Sequence, residues 1–306
     1  MNDTQRLKRY LAEEMVEEYE EGRMSRRQMI KTVGRILGVA VVSPALLASL
    51  GCASVGEPEA ARVPESTTEG VTVDPGDPDI EVGEVEVPGE EGAISAYQAR
   101  PSSGGPFAAI LLIHENRGLT EHIQDVARRF AKVGYEGLAP DLLSRVGGTD
   151  QFADQAEVTA AISQLDQEGV ISDLRSGVTW LEGQPYVQEG RIGGIGWCWG
   201  GGQAWRLATK EPKMSAVVAF YGPNPLLEDV PNIQAAVLGI YGGEDQRIMS
   251  QEPELEEALA DADKTYDMKV FEGANHAFFN DTSERFDPQA ARDAWAYTLD
   301  WFNKYL

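Results

Sequence analysis

Two residue types that often build functional sites are scarce. The 306-residue chain has two cysteines, Cys52 and Cys198, and three histidines, His114, His122 and His276. Two cysteines exclude a disulfide scaffold and a cysteine-rich zinc centre. No His and carboxylate cluster has ligand spacing, so no metal and no cofactor is expected. Any step that needs an imidazole must use one of three residues. Positive charge is short as well, with 26 Lys+Arg against 50 Asp+Glu, a formal net charge of −24. Such a chain repels phosphate backbones, which excludes nucleic acid as a default partner. The apolar run from Ile36 to Gly51 has 16 residues with Pro44 inside it, short of the roughly 20 that span a bilayer. Hydrophobic residues make up 42% of the chain, enough for a sizeable core and too many for a disordered one.

The charge is uneven. Residues 1–51 carry eight basic and seven acidic side chains, whereas 52–306 carry 18 basic and 43 acidic. Only six of those 18 are lysines. A carboxylate-rich, Arg-over-Lys surface suits either an acidic exported protein or a protein adapted to high salt. The second alternative predicts activity and melting temperature rising with KCl or NaCl.

The first 51 residues divide into a charged, helix-prone stretch (Leu7 to Glu21), the sequence Ser25-Arg26-Arg27-Gln28-Met29-Ile30-Lys31, and the apolar run. The middle piece resembles a twin-arginine export motif, and the run suits the hydrophobic region of a signal peptide. Leu50-Gly51-Cys52 resembles a lipobox, which makes Cys52 a lipidation candidate and implies attachment to a membrane through that lipid. The alternatives are a cut nearby or an uncleaved anchor. Residues 52–79 are rich in Pro, Gly, Glu, Ser and Thr and are expected to form a flexible acidic tether. The expected location is outside the cytoplasm, after export by the twin-arginine route.

A domain is expected over 80–306. Residues 82–99 pattern as a β-hairpin around Pro88-Gly89-Glu90-Glu91-Gly92. Phe107 to Ile113 is a continuous apolar run, the mark of a strand buried on both faces. A helix is expected from an N-cap at Thr120 to Val133. Strands at 135–140, 192–196, 216–221, 236–241 and 266–271 then alternate with helices at 199–209, 251–262 and 288–304, and 151–182 is mostly helical. That alternation argues one mostly parallel central sheet with helices on both faces, an α/β fold.

The most informative segment is Gly193 to Gly202. It contains Gly196-x-Cys198-x-Gly200, a cysteine form of the nucleophile elbow. A nucleophile on so tight a strand-to-helix turn needs small neighbours two residues either side. The helix end behind it favours a thiolate and offers the Trp199 backbone N–H to an oxyanion. In α/β-hydrolases the acid and then the histidine follow the nucleophile in the chain. Asp245 lies in the loop after the 236–241 strand, with Glu244 as its competitor. His276 follows the 266–271 strand and is the only histidine after Cys198. The imidazole would take the thiol proton, and Asp245 would orient the ring.

The whole of 80–306 resembles the dienelactone hydrolase family (carboxymethylenebutenolidase-like). The matching motifs are Ile113-His114-Glu115-Asn116-Arg117-Gly118-Leu119, Ala139-Pro140-Asp141-Leu142-Leu143, Gly196-Trp197-Cys198-Trp199-Gly200-Gly201, Gly243-Glu244-Asp245 and Gly273-Ala274-Asn275-His276-Ala277-Phe278. The resemblance implies the α/β-hydrolase fold, a Cys198-His276-Asp245 triad, and an ester or lactone as the small-molecule substrate. It also implies that Glu115 contacts the resting thiol and moves aside for substrate, and that Asn116 gives the second oxyanion N–H. The alternative for Glu115 is a simple pairing with Arg117. His114 is expected to be structural, and His122 structural or exposed. Where the family places a substrate-binding arginine, four residues after the triad histidine, this chain has Asn280, with Arg285 nearby. The chain is expected to be a monomeric hydrolase. The competing readings are a tethered, non-catalytic binding protein on the same fold and a thiol redox sensor at Cys198.

Overall fold

The structure, a computed structural model, describes residues 3–51 and 72–306. It opens with three helices, α1 (Asp3–Glu20), α2 (Arg26–Leu37) and α3 (Pro44–Ser49). Ser25 caps α2 through a capping box with Gln28, and Gly38 ends it in the left-handed conformation, φ 68°. The apolar run is therefore not one segment. Pro44 starts α3, where its missing N–H is harmless. Cys52 lies outside the described residues.

The tether was expected to reach residue 79, but its last residues are fixed. The Thr72 and Val73 N–H groups donate to Asp125 Oδ1 at 3.1 and 2.8 Å. Arg128 Nε donates to the Val73 carbonyl at 2.7 Å, and Lys132 pairs with Asp77 at 3.0 Å and Asp79 at 2.7 Å. Residues 52–71 lie outside the described residues.

The strands are β1 (Ile80–Gly89), β2 (Gly92–Pro101), β3 (Phe107–Ile113), β4 (Glu136–Pro140), β5 (Val187–Trp197), β6 (Ala216–Phe220), β7 (Ala236–Gly242) and β8 (Tyr266–Phe271). They form one sheet in the order β1-β2-β4-β3-β5-β6-β7-β8. The β1–β2 hairpin is antiparallel and β2 meets β4 antiparallel. All other pairs are parallel. The helices between and after them are α4 (Glu121–Lys132), α5 (Gln155–Ile162), α6 (Gln167–Glu182), α7 (Trp199–Lys210), α8 (Gln246–Met249), α9 (Glu252–Asp261) and α10 (Pro288–Tyr305). Thr120 holds the N-cap position of α4 but makes no side-chain cap bond.

Strand β3 shows why its run is apolar throughout. Leu111 faces Gly177 of α6, while its neighbour Ile110 shares a space with Phe302 of α10 beside Gly193. Alternate side chains thus enter cores on opposite faces of the sheet. Phe130 of α4 packs edge-on to Phe302, which puts α4 and α10 on one face. This is the expected α/β-hydrolase fold. The carboxyl ends of β3, β5, β7 and β8 meet at one rim, where such sheets carry their sites.

Candidate active site

Cys198 stands between β5 and α7 at φ 57° and ψ −122°, a conformation costing about 1–3 kcal/mol for a residue with a side chain. The glycines around it are sterically required. A Cβ on Gly196 would lie 2.1 Å from the Gly200 carbonyl oxygen. One on Gly200 would lie 2.3 Å from the His114 oxygen, and one on Gly201 2.4 Å from the Phe220 oxygen. The first turn of α7 thus presses directly on the ends of β3 and β6.

His276 is fully buried in the loop after β8. Its Nδ1 lies 2.5 Å from Asp245 Oδ2. Asp245 in turn accepts the Ile248 N–H at 3.2 Å as the N-cap of α8. Glu244, its competitor in the sequence, is exposed. Gly242 permits this closure, since a Cβ there would meet the Ala274 and Asn275 carbonyls at 2.6 and 2.7 Å. Cys198 Sγ, a ring nitrogen of His276 and a carboxylate oxygen of Glu14 all lie within 4.8 Å of one another. No other group of potential metal-ligating side chains this close occurs among the described residues.

Glu115 and Asn116 follow β3 and are buried beside Cys198. The thiol's hydrogen-bond partner is Tyr10, whose hydroxyl lies 3.2 Å from Sγ. Glu115 was expected in that role, but its carboxylate accepts the Asn280 amide at 2.6 Å instead. Asn280 is oriented by Thr282, whose N–H and hydroxyl both donate to Oδ1. Arg117 pairs with Glu18 at 3.6 Å and leaves Glu115 alone.

His114 is structural, as expected. Its Nε2 accepts the Leu142 N–H at 3.2 Å, so Nδ1 carries the proton and donates to the Glu115 carbonyl at 2.7 Å. Burial lowers its pKa and keeps it neutral. The Glu115 oxygen is thus pinned, and the N–H of Asn116, on the same trans peptide, is aimed the other way. The His114 ring stacks on Trp199 at 5.6 Å. His122 is buried against Asp281 at 2.8 Å. Trp197 packs on Phe220 and Phe279 in the core.

The N-terminal helix supplies residues the sequence did not flag. Glu14 Oε2 lies 3.6 Å from His276 Nε2. Burial alone would raise the Glu14 pKa, but His276, Arg247, Arg285 and Arg117 outweigh it and hold the carboxyl at about 2. Burial alone would lower the His276 pKa, but Glu14 and Asp245 hold it well above its ordinary value. Burial, the thiol and Glu14 all raise Tyr10, which stays a neutral phenol. A signal for this helix was present in the sequence: Leu7, Tyr10, Leu11, Glu14 and Met15 recur at helical spacing on one buried face.

A family model described as "Dienelactone hydrolase family" matches residues 94–306. The chain belongs to the dienelactone hydrolase family. A relative from Methylorubrum extorquens, named "Putative carboxymethylenebutenolidase", is 38% identical over 235 residues, covering 73% of this chain and 81% of the relative. A protein of the same name from Escherichia coli is 31% identical over 239 residues, covering 74% and 88%. Among solved structures, one from Klebsiella pneumoniae described as "Putative Dienelactone Hydrolase" is 30% identical with a TM-score of 0.69, covering 74% of this chain and 99% of that one. A dienelactone hydrolase from Anabaena variabilis is 23% identical with a TM-score of 0.60, and covers the same 74% of this chain and 99% of its own, a likeness of fold.

Proposed function

We propose that this dienelactone hydrolase family member cleaves a carboxylic ester or lactone through Cys198, His276 and Asp245. The observation that carries the reading is the buried relay: a cysteine on a strained elbow at the start of α7, close to an imidazole whose far nitrogen sits 2.5 Å from Asp245. His276 takes the thiol proton, the Cys198 sulfur attacks the carbonyl carbon, and a C–S bond forms. The Trp199 and Asn116 N–H groups hold the oxyanion. As the C–O bond breaks, His276 gives its proton to the leaving oxygen. It then takes a proton from water, whose oxygen attacks the thioester. The C–S bond breaks, the acid leaves and the thiol is restored. Asp245 keeps the ring in the required tautomer throughout. Glu115, held by Asn280, gates the thiol when substrate displaces the groups around it.

The likeness of residues 25–52 to a twin-arginine lipoprotein signal supports export, with Cys52 as the anchor. Among the described residues, no helix is long and apolar enough to cross a membrane.

The test is hydrolysis of p-nitrophenyl acetate and a panel of small lactones by the full chain, at low and high salt, beside Cys198→Ala. Turnover lost in the variant is the expected result. Equal turnover by Cys198→Ala refutes the mechanism. No turnover on any ester or lactone, even once the residues covering Cys198 are displaced, favours the non-catalytic binding protein.

A further inference from the structure

The space left at Cys198 is about 10 Å³, lined by Glu14, Glu115, Asn116, Cys198, His276 and Arg285 among others. That volume holds about one water molecule and no acyl group. What fills the site is α1. Its Tyr10 takes the sulfur and its Glu14 takes the imidazole. Two larger spaces flank the helix. One of about 780 Å³ reaches Tyr10 and Arg247, and one of about 310 Å³ reaches Met15, Glu18 and Asn116. The second shares Glu18, Asn116, Arg117 and Ser283 with the cavity at Cys198, and the first has in its wall Tyr10, the residue that covers the thiol. The helix lies between these spaces and the nucleophile.

The seat is complementary in charge. In a body carrying 43 acidic and 18 basic residues, four arginines around the cleft pair with acids of the N-terminal segment. Arg247 binds Glu14 at 2.8 Å and Glu17 at 3.5 Å, and its guanidinium stacks on the Tyr10 ring at 4.3 Å. Arg285 meets Glu14 at 3.7 Å, Glu17 at 3.3 Å, and Glu21. Arg117 meets Glu18, and Arg206 meets Asp3. Further contacts tie the segment down away from the cleft. Lys8 donates to Gln164 at 3.2 Å, and Gln164 donates to the Arg35 carbonyl at 3.0 Å.

We propose that α1 is an inhibitor built into the chain: it docks in the substrate cleft of its own enzyme, with Tyr10 and Glu14 covering the nucleophile and the base, and the active form is the one from which α1 has been displaced. The proposal rests on the hydrolase reading of Cys198 and His276. Its occupant is residues 3–20 of this chain, and no other partner is needed to hold the closed state.

The test lifts the helix in the full chain without touching the site. Glu17→Arg with Glu21→Arg turns the pairs with Arg285 into repulsions. Alkylation of Cys198 by iodoacetamide, followed by mass spectrometry on the peptide that carries it, should accelerate at least about tenfold. Turnover of p-nitrophenyl acetate should rise in parallel, and a synthetic peptide of residues 3–21 should suppress both gains. An unchanged alkylation rate in the variant, with its melting transition preserved, overturns the proposal. A second measurement needs no variant. In the native chain, α1 amides should exchange hydrogen through a local opening that leaves β5 protected. Equal protection of α1 and β5 overturns the proposal as well. Faster alkylation without ester turnover would retain the inhibitor and refute the hydrolase reading. Rapid native turnover that the double variant leaves unchanged would do the reverse.

Discussion

Glu14→Gln should move the His276 titration more than any other single change on α1. The two groups lie 3.6 Å apart and both are buried. At an effective dielectric near 20, unit charges about 4 Å apart attract by about 4 kcal/mol. The attraction favours the imidazolium, so losing it lowers the His276 pKa. The change also takes one carboxylate partner from Arg247 and Arg285, leaving Arg247 with Glu17 and Arg285 with Glu17 and Glu21. Any loosening of α1 admits water and softens the effect, but the direction of the shift stays downward. With only three histidines in the chain, ring signals in a proton NMR titration are readily assigned by single substitutions. A His276 midpoint that does not fall in the variant would refute the ion pair as the source of its raised pKa. The same pair sets a pH window for docking. His276 has a raised pKa in the docked state, so its contribution is complete below its ordinary 6.5 and is lost as pH rises through the raised value. Glu14 is depressed, so its contribution is complete above its ordinary 4.5 and is lost as pH falls towards about 2. Docking is therefore tightest in mild acid and weakens in alkali.

Gly200→Ala should cost at least about 3 kcal/mol or abolish soluble expression, because the new methyl meets backbone oxygens of His114 and Ile113 at 2.3 and 2.4 Å; a melting temperature within a few degrees of native would contradict the packing of α7 on β3. Asp245→Asn should lower kcat by up to about 10⁴-fold with the fold retained, as seen by steady-state kinetics beside circular dichroism. A kcat within tenfold of native would remove Asp245 from the relay.

The fold was legible because its signals are local. The apolar run of β3, the Gly-x-Cys-x-Gly turn and the final helix each match a pattern that short-range physics dictates. Cys198, Asp245 and His276 were legible for a second reason: topology brings the ends of β5, β7 and β8 to one rim, so chain order alone brings them together. Glu115 was placed correctly beside the nucleophile, but its partner was not. Whether a carboxylate faces a thiol or an amide depends on rotamers fixed by Asn280 and Thr282, far away in sequence. The role of α1 was hidden for a different cause. Its buried face is visible as spacing, but the surface that receives it comes from four arginines spread over residues 117–285. Twin-arginine and lipobox-like motifs also draw attention to targeting, and say nothing of what the preceding helix touches.

Because α1 is part of the same polypeptide as the cleft it fills, its occupancy does not depend on protein concentration. A tethered segment experiences an effective concentration of the order of millimolar, so a helix with only weak intrinsic affinity suffices to keep the cleft filled. One peptide-bond cleavage between Gly51 and Thr72, the lipobox cut before Cys52 included, changes that regime. The helix becomes a separate ligand, its hold falls with dilution, and on the inhibitor proposal the hydrolase would then work faster than it does as a single chain.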